Sequence, residues 1–408
     1  MLRNLLLNVL LGTGLLVGAG VATAQPIKIG VISADSGAWA LYGGAGKKGA
    51  VLAAEEINAH GGVLGRKLEL ITGDNKSRPD EASRLFRDMV AGGAEVVVGI
   101  VGTGEIQAAS TLAREQKVPL LIAFGYGRFL TEEAGHRYFF RLMSNSRAYY
   151  GPMVDRIIQG GYTRYCTISN DFAFGRDLVA NVMDDLKKRN PKGELVSGCE
   201  FWVPVNATDF TTYITAILAQ KPQLLMFGGI VGNSLPAFMS QSSQFGLFKQ
   251  IAGAHPSLGW PGNNAGVKEA DIPKKTIISG SDYPYPPVDT PESKAFHSAY
   301  TKRWSEGPMS ESAHAYATMY FIKAAFEKAG KVDREAFVDA AEGLGFVHPS
   351  LGKLTVRPFD HQSNAGVWVG YFGWAKDYNR PGMEDITYVP GDRYLPSEEE
   401  VKALRTKK

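Results

Sequence analysis

A glycine-rich segment, Gly44–Gly49, is the first candidate for chemistry because it matches the G-x-G-x-x-G pattern of dinucleotide-binding sites. In such a site the first glycine follows a strand directly, so that the next helix meets the pyrophosphate. Here about eleven residues separate the segment from a predicted strand that ends at Ile32. A P-loop fails too, since Leu41 replaces its first glycine and Lys48 stands where Ser or Thr belongs. An exported α/β enzyme with a nucleotide cofactor is therefore the weaker alternative.

The other reactive residue types form no local catalytic or metal-binding pattern. The seven histidines show no H-E-x-x-H or similar spacing, and the chain has no G-x-S-x-G nucleophile elbow. Neither cysteine lies in a helix-opening motif that favours a reactive thiolate. Paired carboxylates such as Asp184–Asp185 lie in predicted helices, where a solvated face explains them. The sequence predicts a protein that is not an enzyme and that has no cofactor and no metal.

Composition narrows the class further. The chain has 408 residues, enough for two or three domains, with 44% hydrophobic and 21% charged residues. These values are ordinary for a globular protein and argue against a disordered, collagen-like or coiled-coil chain. The formal net charge of +3 is too small a surplus for a nucleic-acid binder. Two cysteines also exclude a disulfide-dense scaffold and a zinc site built from several thiolates.

The first 24 residues have the pattern of an export signal. Arg3 precedes an apolar stretch, Leu5–Val21, which ends in the small-x-small pattern Ala22–Ala24. A membrane-spanning helix is the alternative, but several glycines weaken it and no basic stop-transfer cluster follows. We expect cleavage after Ala24. The new first residue, Gln25, has no cysteine near it for a lipid anchor, which predicts a free periplasmic protein.

The two cysteines, Cys166 and Cys199, would then lie in an oxidising compartment. Both fall in predicted strands. A disulfide across neighbouring strands and two buried free thiols remain equally open, because parallel strands often miss the Cβ spacing that a disulfide requires.

Short apolar runs alternate with helical segments along the mature chain, which is the pattern of parallel sheets covered by helices. The first series of predicted strands is Ile27–Ile32, Leu68–Ile71, Val96–Val101 and Leu120–Phe124. The second series is Tyr165–Ser169, Leu195–Phe201, Leu224–Phe227 and Gln250–Ala252. Later elements are strands Thr276–Ser279, Gly352–Val356 and Val367–Trp374, a helix Glu311–Ala329, and a basic, frayed tail Val401–Lys408. The predicted fold is α/β with two doubly wound, Rossmann-like lobes.

Loops at the carboxyl ends of the strands supply the candidate site, because ligands of open α/β sheets bind there. The loop Gly102–Gly104 opens a helix whose free N–H groups and positive dipole end can hold a carboxylate, although a simple glycine-rich N-cap explains it as well. Aromatic residues in the other loops indicate a lined cleft. The candidates from the first series are Trp39, Tyr42, Gly102, Thr103, Gly104, Phe124, Gly125 and Tyr126.

Several of these residues belong to a longer signature. Ser36–Gly37 with Tyr42–Gly43, followed by the asparagine-glycine segment Ile57–Leu68, resembles the amino-terminal signature of type I periplasmic binding proteins of the leucine/isoleucine/valine-binding branch. Tyr316 on its Ala-rich helix and Ala329–Gly330 agree with that family too. The similarity spans essentially the whole mature chain.

The resemblance implies a two-lobed receptor that closes on a small solute and delivers it to an inner-membrane ABC permease with its ATPase subunits. It implies a monomer that binds no nucleic acid, with interlobe crossings near residues 145, 278 and 346. The first lobe would comprise residues 25–144 and 279–345, and the second residues 145–278 and 346–395. Residues 1–24 would be the signal peptide and residues 396–408 the basic tail.

The family's ligand contacts carry over unevenly. On the first lobe, the contacts to a ligand α-carboxylate fall on Thr103 and near Phe124–Gly127, where the family has a hydroxyl-bearing residue and this sequence has Gly127, with Tyr126 beside it. On the second lobe, the family's aromatic residue falls on Phe174 and its tyrosine on Ile230, and the acid that pairs with an α-ammonium falls on His255 or Pro256. An ammonium thus loses its counter-charge, for which Asp171 could substitute.

We therefore hypothesise a ligand with a carboxylate or other polar head and an apolar or aromatic body, because a buried ammonium without a carboxylate is costly. Glu105 opposes this hypothesis if it faces inward, since it would repel an anion. The candidate walls of the cleft are Trp39, Tyr42, Tyr126, Tyr149 and Phe174.

Overall fold

The structure of the chain is a computed structural model that describes residues 25–406, apart from the side chains of residues 173, 174 and 281. The export signal predicted at residues 1–24 lies outside the described residues. Among the helices described, none is long and apolar enough to cross a membrane.

Two sheets organise these residues, one of five strands and one of seven. The first sheet contains β1 (Ile27–Ser33), β2 (Leu68–Asp74), β3 (Val96–Gly99), β4 (Leu120–Ile122) and β5 (Phe139–Arg141). The second begins with β6 (Arg164–Asn170), β7 (Glu194–Val203), β8 (Leu224–Gly229), β9 (Ala252–His255) and β10 (Ile277–Ser281). A separate hairpin is formed by β11 (Gly345–His348) and β12 (Gly352–Thr355), and the second sheet is completed by β13 (Val367–Ala375) and β14 (Arg380–Val389). The orders β2-β1-β3-β4-β5 and β14-β13-β10-β9-β8-β6-β7 confirm the predicted α/β fold with two doubly wound sheets.

Helices cover both sheets. They are α1 (Ala40–Ala59), α2 (Pro79–Ala91), α3 (Thr103–Gln116), α4 (Ser146–Gln159), α5 (Ala173–Arg189), α6 (Thr211–Gln220), α7 (Ser234–Gln244), α8 (Leu247–Gln250), α9 (Pro291–Trp304), α10 (Ser310–Ala329), α11 (Arg334–Ala341) and α12 (Glu398–Thr406). One core joins the first sheet to α1, α10 and α11, so we call these elements with α2, α3 and α9 the first lobe. The second sheet with α4–α8 is the second lobe. The chain passes between the lobes after β5, after β10 and after β12.

The G-x-G-x-x-G segment lies inside α1, not at the junction of a strand with a helix. Gly49 packs against α10 so closely that a Cβ there would overlap the backbone of Ser312. Gly49 therefore serves helix packing, and the position of the segment inside a helix does not match the strand-to-helix turn of a dinucleotide site.

Several strands differ from the sequence-based prediction, and β5 and β11 were not predicted. β3 ends at Gly99 instead of Val101, because Gly99 and Ile100 both take positive φ and turn the chain out of the sheet. β9 starts at Ala252, where the predicted strand ends, because the short helix α8 occupies Leu247–Gln250. β14 was not predicted either: it opens with Pro381 and Gly382, which are poor strand formers that an edge strand tolerates.

The two cysteines are joined in a disulfide. Cys166 lies on β6 and Cys199 on the neighbouring strand β7, with Cα atoms 4.9 Å apart. Both residues are fully buried in the core of the second lobe. Of the two alternatives open from the sequence, the structure shows the bonded one.

The carboxyl tail is ordered into a helix, so the prediction of a frayed tail is wrong for residues 398–406. Val401 is 1% exposed and anchors α12. The Arg405 guanidinium donates hydrogen bonds to the carbonyl oxygens of Thr131, Glu132 and Phe359. The basic sequence of the tail gave little indication of this packing, because only one apolar residue and one arginine attach the helix to the rest of the protein.

A buried polar cluster lies where the chain returns from β10 to the first lobe. Asp282 accepts a hydrogen bond from the Tyr126 hydroxyl at 3.2 Å, and its Oδ2 lies 2.9 Å from His314 Nε2. Glu311, one helical turn before His314, is 2% exposed. Burial, with a smaller contribution from the charge of Asp282, raises the pKa of Glu311 to about 8. Glu311 therefore keeps its proton at neutral pH.

We expect Arg405→Ala to lower the free energy of unfolding by about 1–3 kcal/mol, because three carbonyl groups lose a charged donor. Lys402→Ala on the same helix removes an exposed ion pair with Glu398 and is the matched control, expected to change stability by less than about 0.5 kcal/mol. Urea unfolding followed by circular dichroism measures both. Equal effects of the two variants would contradict the docking of α12.

The raised pKa of Glu311 predicts a loss of stability as the pH rises. The folded protein holds this proton more tightly than the unfolded chain, so stability is full below the ordinary pKa of 4.5 and is lost as the pH approaches 8. Between pH 6.5 and pH 8 the loss is at most about 2 kcal/mol. Glu311→Gln should remove this dependence, whereas Glu327→Gln on the exposed end of α10 should keep it. Parallel pH profiles of unfolding for wild type and Glu311→Gln would show that Glu311 is ionised in the folded state.

Candidate functional site

A cleft of about 620 Å³ lies between the two lobes, where the carboxyl ends of strands from both sheets face each other. All eight first-lobe residues predicted as ligand contacts line it. They are Trp39, Tyr42, Gly102, Thr103, Gly104, Phe124, Gly125 and Tyr126. Each of these residues follows the carboxyl end of β1, β3 or β4 in the chain, the edge of the sheet at which the strand ends gather.

The second-lobe predictions are less successful. Tyr149, Asp171, Ile230 and His255 lie outside the wall that the described residues form, and the Phe174 side chain lies outside the described part of the chain. Close neighbours line the cleft in their place. These are Tyr150, Phe172, Asp177 and Val231.

Physical reasons account for each displaced residue. Tyr149 is fully buried under the cleft, with its ring centroid 4.3 Å from that of Tyr126, because the turn of α4 points its neighbour outward. Asp171 forms an exposed ion pair with Arg176 at 2.6 Å. Ile230 belongs to the core.

His255 is also unsuited to the role of a counter-charge. Its ring is fully buried, with Nε2 3.2 Å from the carbonyl oxygen of Ile230. Burial lowers the pKa of His255 to about 4, so the ring is neutral at neutral pH. It acts as a structural residue at the end of β9.

Trp260 is the most prominent residue that the sequence did not predict. It lies in the loop after β9, 5% exposed, and its indole N–H donates to the carbonyl oxygen of Gly280. Its ring stacks on Tyr126 with centroids 5.5 Å apart and contacts Phe124 edge-on at 5.3 Å. Its position a few residues beyond the end of a strand could have identified Trp260 as a candidate from the sequence. These rings form a continuous aromatic wall across the two lobes.

A direct hydrogen bond joins the lobes at the cleft. The Tyr42 hydroxyl, at the start of α1, donates to Asn263 Oδ1 at 2.5 Å. The Tyr42 ring also stacks on Phe124, with centroids 5.7 Å apart and planes 6° apart. Burial raises the pKa of the Tyr42 hydroxyl well above its usual range, so it stays a donor. This bond holds the two lobes together in the observed arrangement.

The amino terminus of α3 differs from the anion site that the sequence predicts. Glu105 is 6% exposed and lines the cleft. Its carboxylate folds back over Gly102, where a Cβ would overlap it and where φ is +96°. Burial raises the pKa of Glu105, while hydrogen bonds from its own backbone N–H and from the Trp39 side chain oppose the rise. The chain's own carboxylate therefore occupies the helix end proposed for a ligand carboxylate.

Charged side chains also mark the rest of the wall. Arg128, Glu133 and Asp177 all line the cleft, and Arg128 and Asp177 are exposed. Glu133 Oε2 is buried and has no hydrogen-bond partner among the residues described. The sequence offered no pattern that singled out these three residues.

A buried arginine shapes the loop between β4 and β5. The Arg141 guanidinium is fully buried and donates to the carbonyl oxygens of Gly125 and Gly127 at 3.1 and 2.7 Å. It also donates to Thr131 Oγ1 and Gln362 Oε1, each at 2.6 Å. Burial lowers the pKa of Arg141 to about 10, so it remains charged. Four acceptors thus fix the loop that carries Tyr126.

Comparisons with known proteins agree with this geometry. A family model described as periplasmic binding protein matches residues 26–376. The leucine-, isoleucine-, valine-, threonine- and alanine-binding protein of Pseudomonas aeruginosa is 24% identical over 366 residues, which cover 88% of this chain and 92% of that protein.

Solved structures share the fold. An amino acid ABC transporter substrate-binding protein from Pseudomonas fluorescens Pf-5 has a TM-score of 0.78 at 18% identity, covering 94% of this chain and 99% of that one. A solute-binding protein of an ABC transporter from Rhodopseudomonas palustris HaA2, in complex with p-hydroxybenzoic acid, has a TM-score of 0.76 at 20% identity, covering 91% and 98%. The predicted resemblance is confirmed, and the chain belongs to the periplasmic binding protein family.

Proposed function

We propose that this protein is a periplasmic solute receptor that captures a small ligand between its lobes and delivers it to an ABC importer of the branched-chain amino acid type. The observation that supports this most is the aromatic cleft of about 620 Å³, which both lobes line. A ligand in the cleft contacts both lobes at once, so its binding energy favours the closed arrangement. Exclusion of water on closure also strengthens the few polar contacts.

The ligand proposed from the cleft is small and has an aromatic or apolar body. The walls present the rings of Trp39, Tyr126 and Trp260, which match the flat face of such a molecule. The relative from Pseudomonas aeruginosa is named for aliphatic amino acids and threonine, and the structure from Rhodopseudomonas palustris contains an aromatic acid. Both kinds of ligand have the size and apolar character that this cleft fits.

We further propose that the chain is exported, cleaved after Ala24, and acts as a monomer with an inner-membrane permease and its ATPase subunits. The proposed lobe boundaries are residues 25–144 with 279–345, and 145–278 with 346–395. The chain passages after β5 and β10 support hinges near residues 145 and 278, whereas the third passage follows β12, which ends at Thr355, and so lies later in the chain than the proposed hinge near residue 346. A lobe rotation about these hinges changes the surface that a permease meets.

Purification without refolding should yield the protein with its ligand bound. Mass spectrometry of the denatured sample is expected to release one small molecule, and small-angle scattering is expected to show a larger radius of gyration after that molecule is removed. Restoring the molecule should restore the smaller radius. A radius of gyration that stays the same with every added small solute would argue against a receptor that closes on its ligand.

Tyr42→Phe should weaken ligand binding about three- to tenfold, because the ring keeps its stacking while the bond between the lobes is lost. Tyr378→Phe, an exposed tyrosine in the second lobe, is the matched control and should leave affinity unchanged. Isothermal titration with the co-purified molecule measures both. Unchanged affinity in Tyr42→Phe would mean that this bond does not stabilise the closed form.

A further inference from the structure

Glu105, a buried acid on the wall of the cleft, forms no ion pair within the part of the chain that the structure describes. At its rim the exposed Arg128 and Asp177 offset each other in charge. Deeper in the wall lie Glu105, which is 6% exposed, and Glu133, whose Oε2 is buried without a partner among the described residues. The charge of Arg147 acts on Glu133, but its guanidinium is paired with Glu132 at 2.9 Å. A bound anion would meet these carboxylates in a medium where charge repulsion is poorly screened.

The helix end that could have held an anion is already taken. The Glu105 carboxylate lies over Gly102 and accepts the Trp39 hydrogen bond at the amino terminus of α3. A ligand carboxylate would have to displace it and would leave it buried beside a like charge. A cation needs no such displacement, because it can pair with Glu105 where it stands.

The aromatic wall suits a cation for a second, independent reason. The faces of tryptophan and tyrosine rings attract cations electrostatically, most strongly when water is excluded. Trp39 adjoins the Glu105 carboxylate, and Trp260 of the second lobe stacks on Tyr126 of the first lobe. Aromatic faces with an adjacent carboxylate are the combination that recognises organic ammonium groups.

We infer that the ligand carries an ammonium group that pairs with Glu105 in the aromatic cleft, and that a carboxylate on the ligand is not required. This inference rests on the proposed function, which it narrows to an organic amine with an apolar or aromatic body. It replaces the sequence-based hypothesis of a carboxylate head at α3, because that position is filled by Glu105 itself.

Three probes of the same size test the charge preference: benzylamine, benzyl alcohol and benzoate, titrated calorimetrically into ligand-free protein at neutral pH. Benzylamine is expected to bind most tightly. Glu105→Gln should lower its affinity about tenfold and raise that of benzoate, since a charged partner is lost while the side-chain shape is kept. Glu115→Gln, exposed at the other end of α3, changes the net charge equally and should alter neither affinity.

Benzoate binding more tightly than benzylamine, equal binding of all three probes, or binding of none would each overturn the inference. A thermal melt shows whether the Glu105→Gln variant folds. If it does not fold, the order of the three affinities in the wild-type protein still tests the inference. Small-angle scattering on the same samples separates the two levels of the account. Closure on benzoate would contradict the proposed ammonium ligand but agree with the proposed receptor function. A protein that closes on no solute, including its co-purified molecule, would contradict both proposals.

Discussion

The buried guanidinium of Arg141 is the interaction on which the cleft depends. It stands at the end of β5, where the chain first leaves the first lobe, and it bonds Gln362, which lies beyond the third passage. The same group holds the carbonyl oxygens of Gly125 and Gly127. One charge thus ties two interlobe passages to the loop that carries Tyr126. Removing it would leave several buried acceptors unpaired, which costs more than the bonds contribute when intact.

The cleft combines this rigid loop with contacts that lobe motion can break. Tyr126 is held from behind by Asp282, and its ring faces Trp260 of the second lobe. Tyr42 reaches Asn263 across the same gap. The first lobe therefore presents a fixed surface, and the second lobe adds rings and one amide that complete it. A receptor that binds and releases its solute needs this division between a preformed half and a movable half.

Much of this was predictable from the sequence, and the failures have physical causes. Strand ends locate Thr103 and Phe124 because a parallel sheet gathers its carboxyl ends at one edge. The same rule missed Tyr150 by one residue, because the rotation of a helix decides which neighbour faces the cleft. Trp260 lies in an irregular loop, where no hydrophobic periodicity indicates which side chains face the cleft. The inward turn of Glu105 depends on the positive φ of Gly102, which the sequence allowed without requiring.

We expect a bound ligand to lie between the lobes with a positively charged nitrogen at Glu105. A crystal structure of the protein purified without refolding tests it most directly. We expect electron density between the rings of Trp39 and Trp260, with a ligand nitrogen within hydrogen-bond distance of the Glu105 carboxylate. Density for a ligand carboxylate on the N–H groups of α3, with Glu105 displaced, would contradict it.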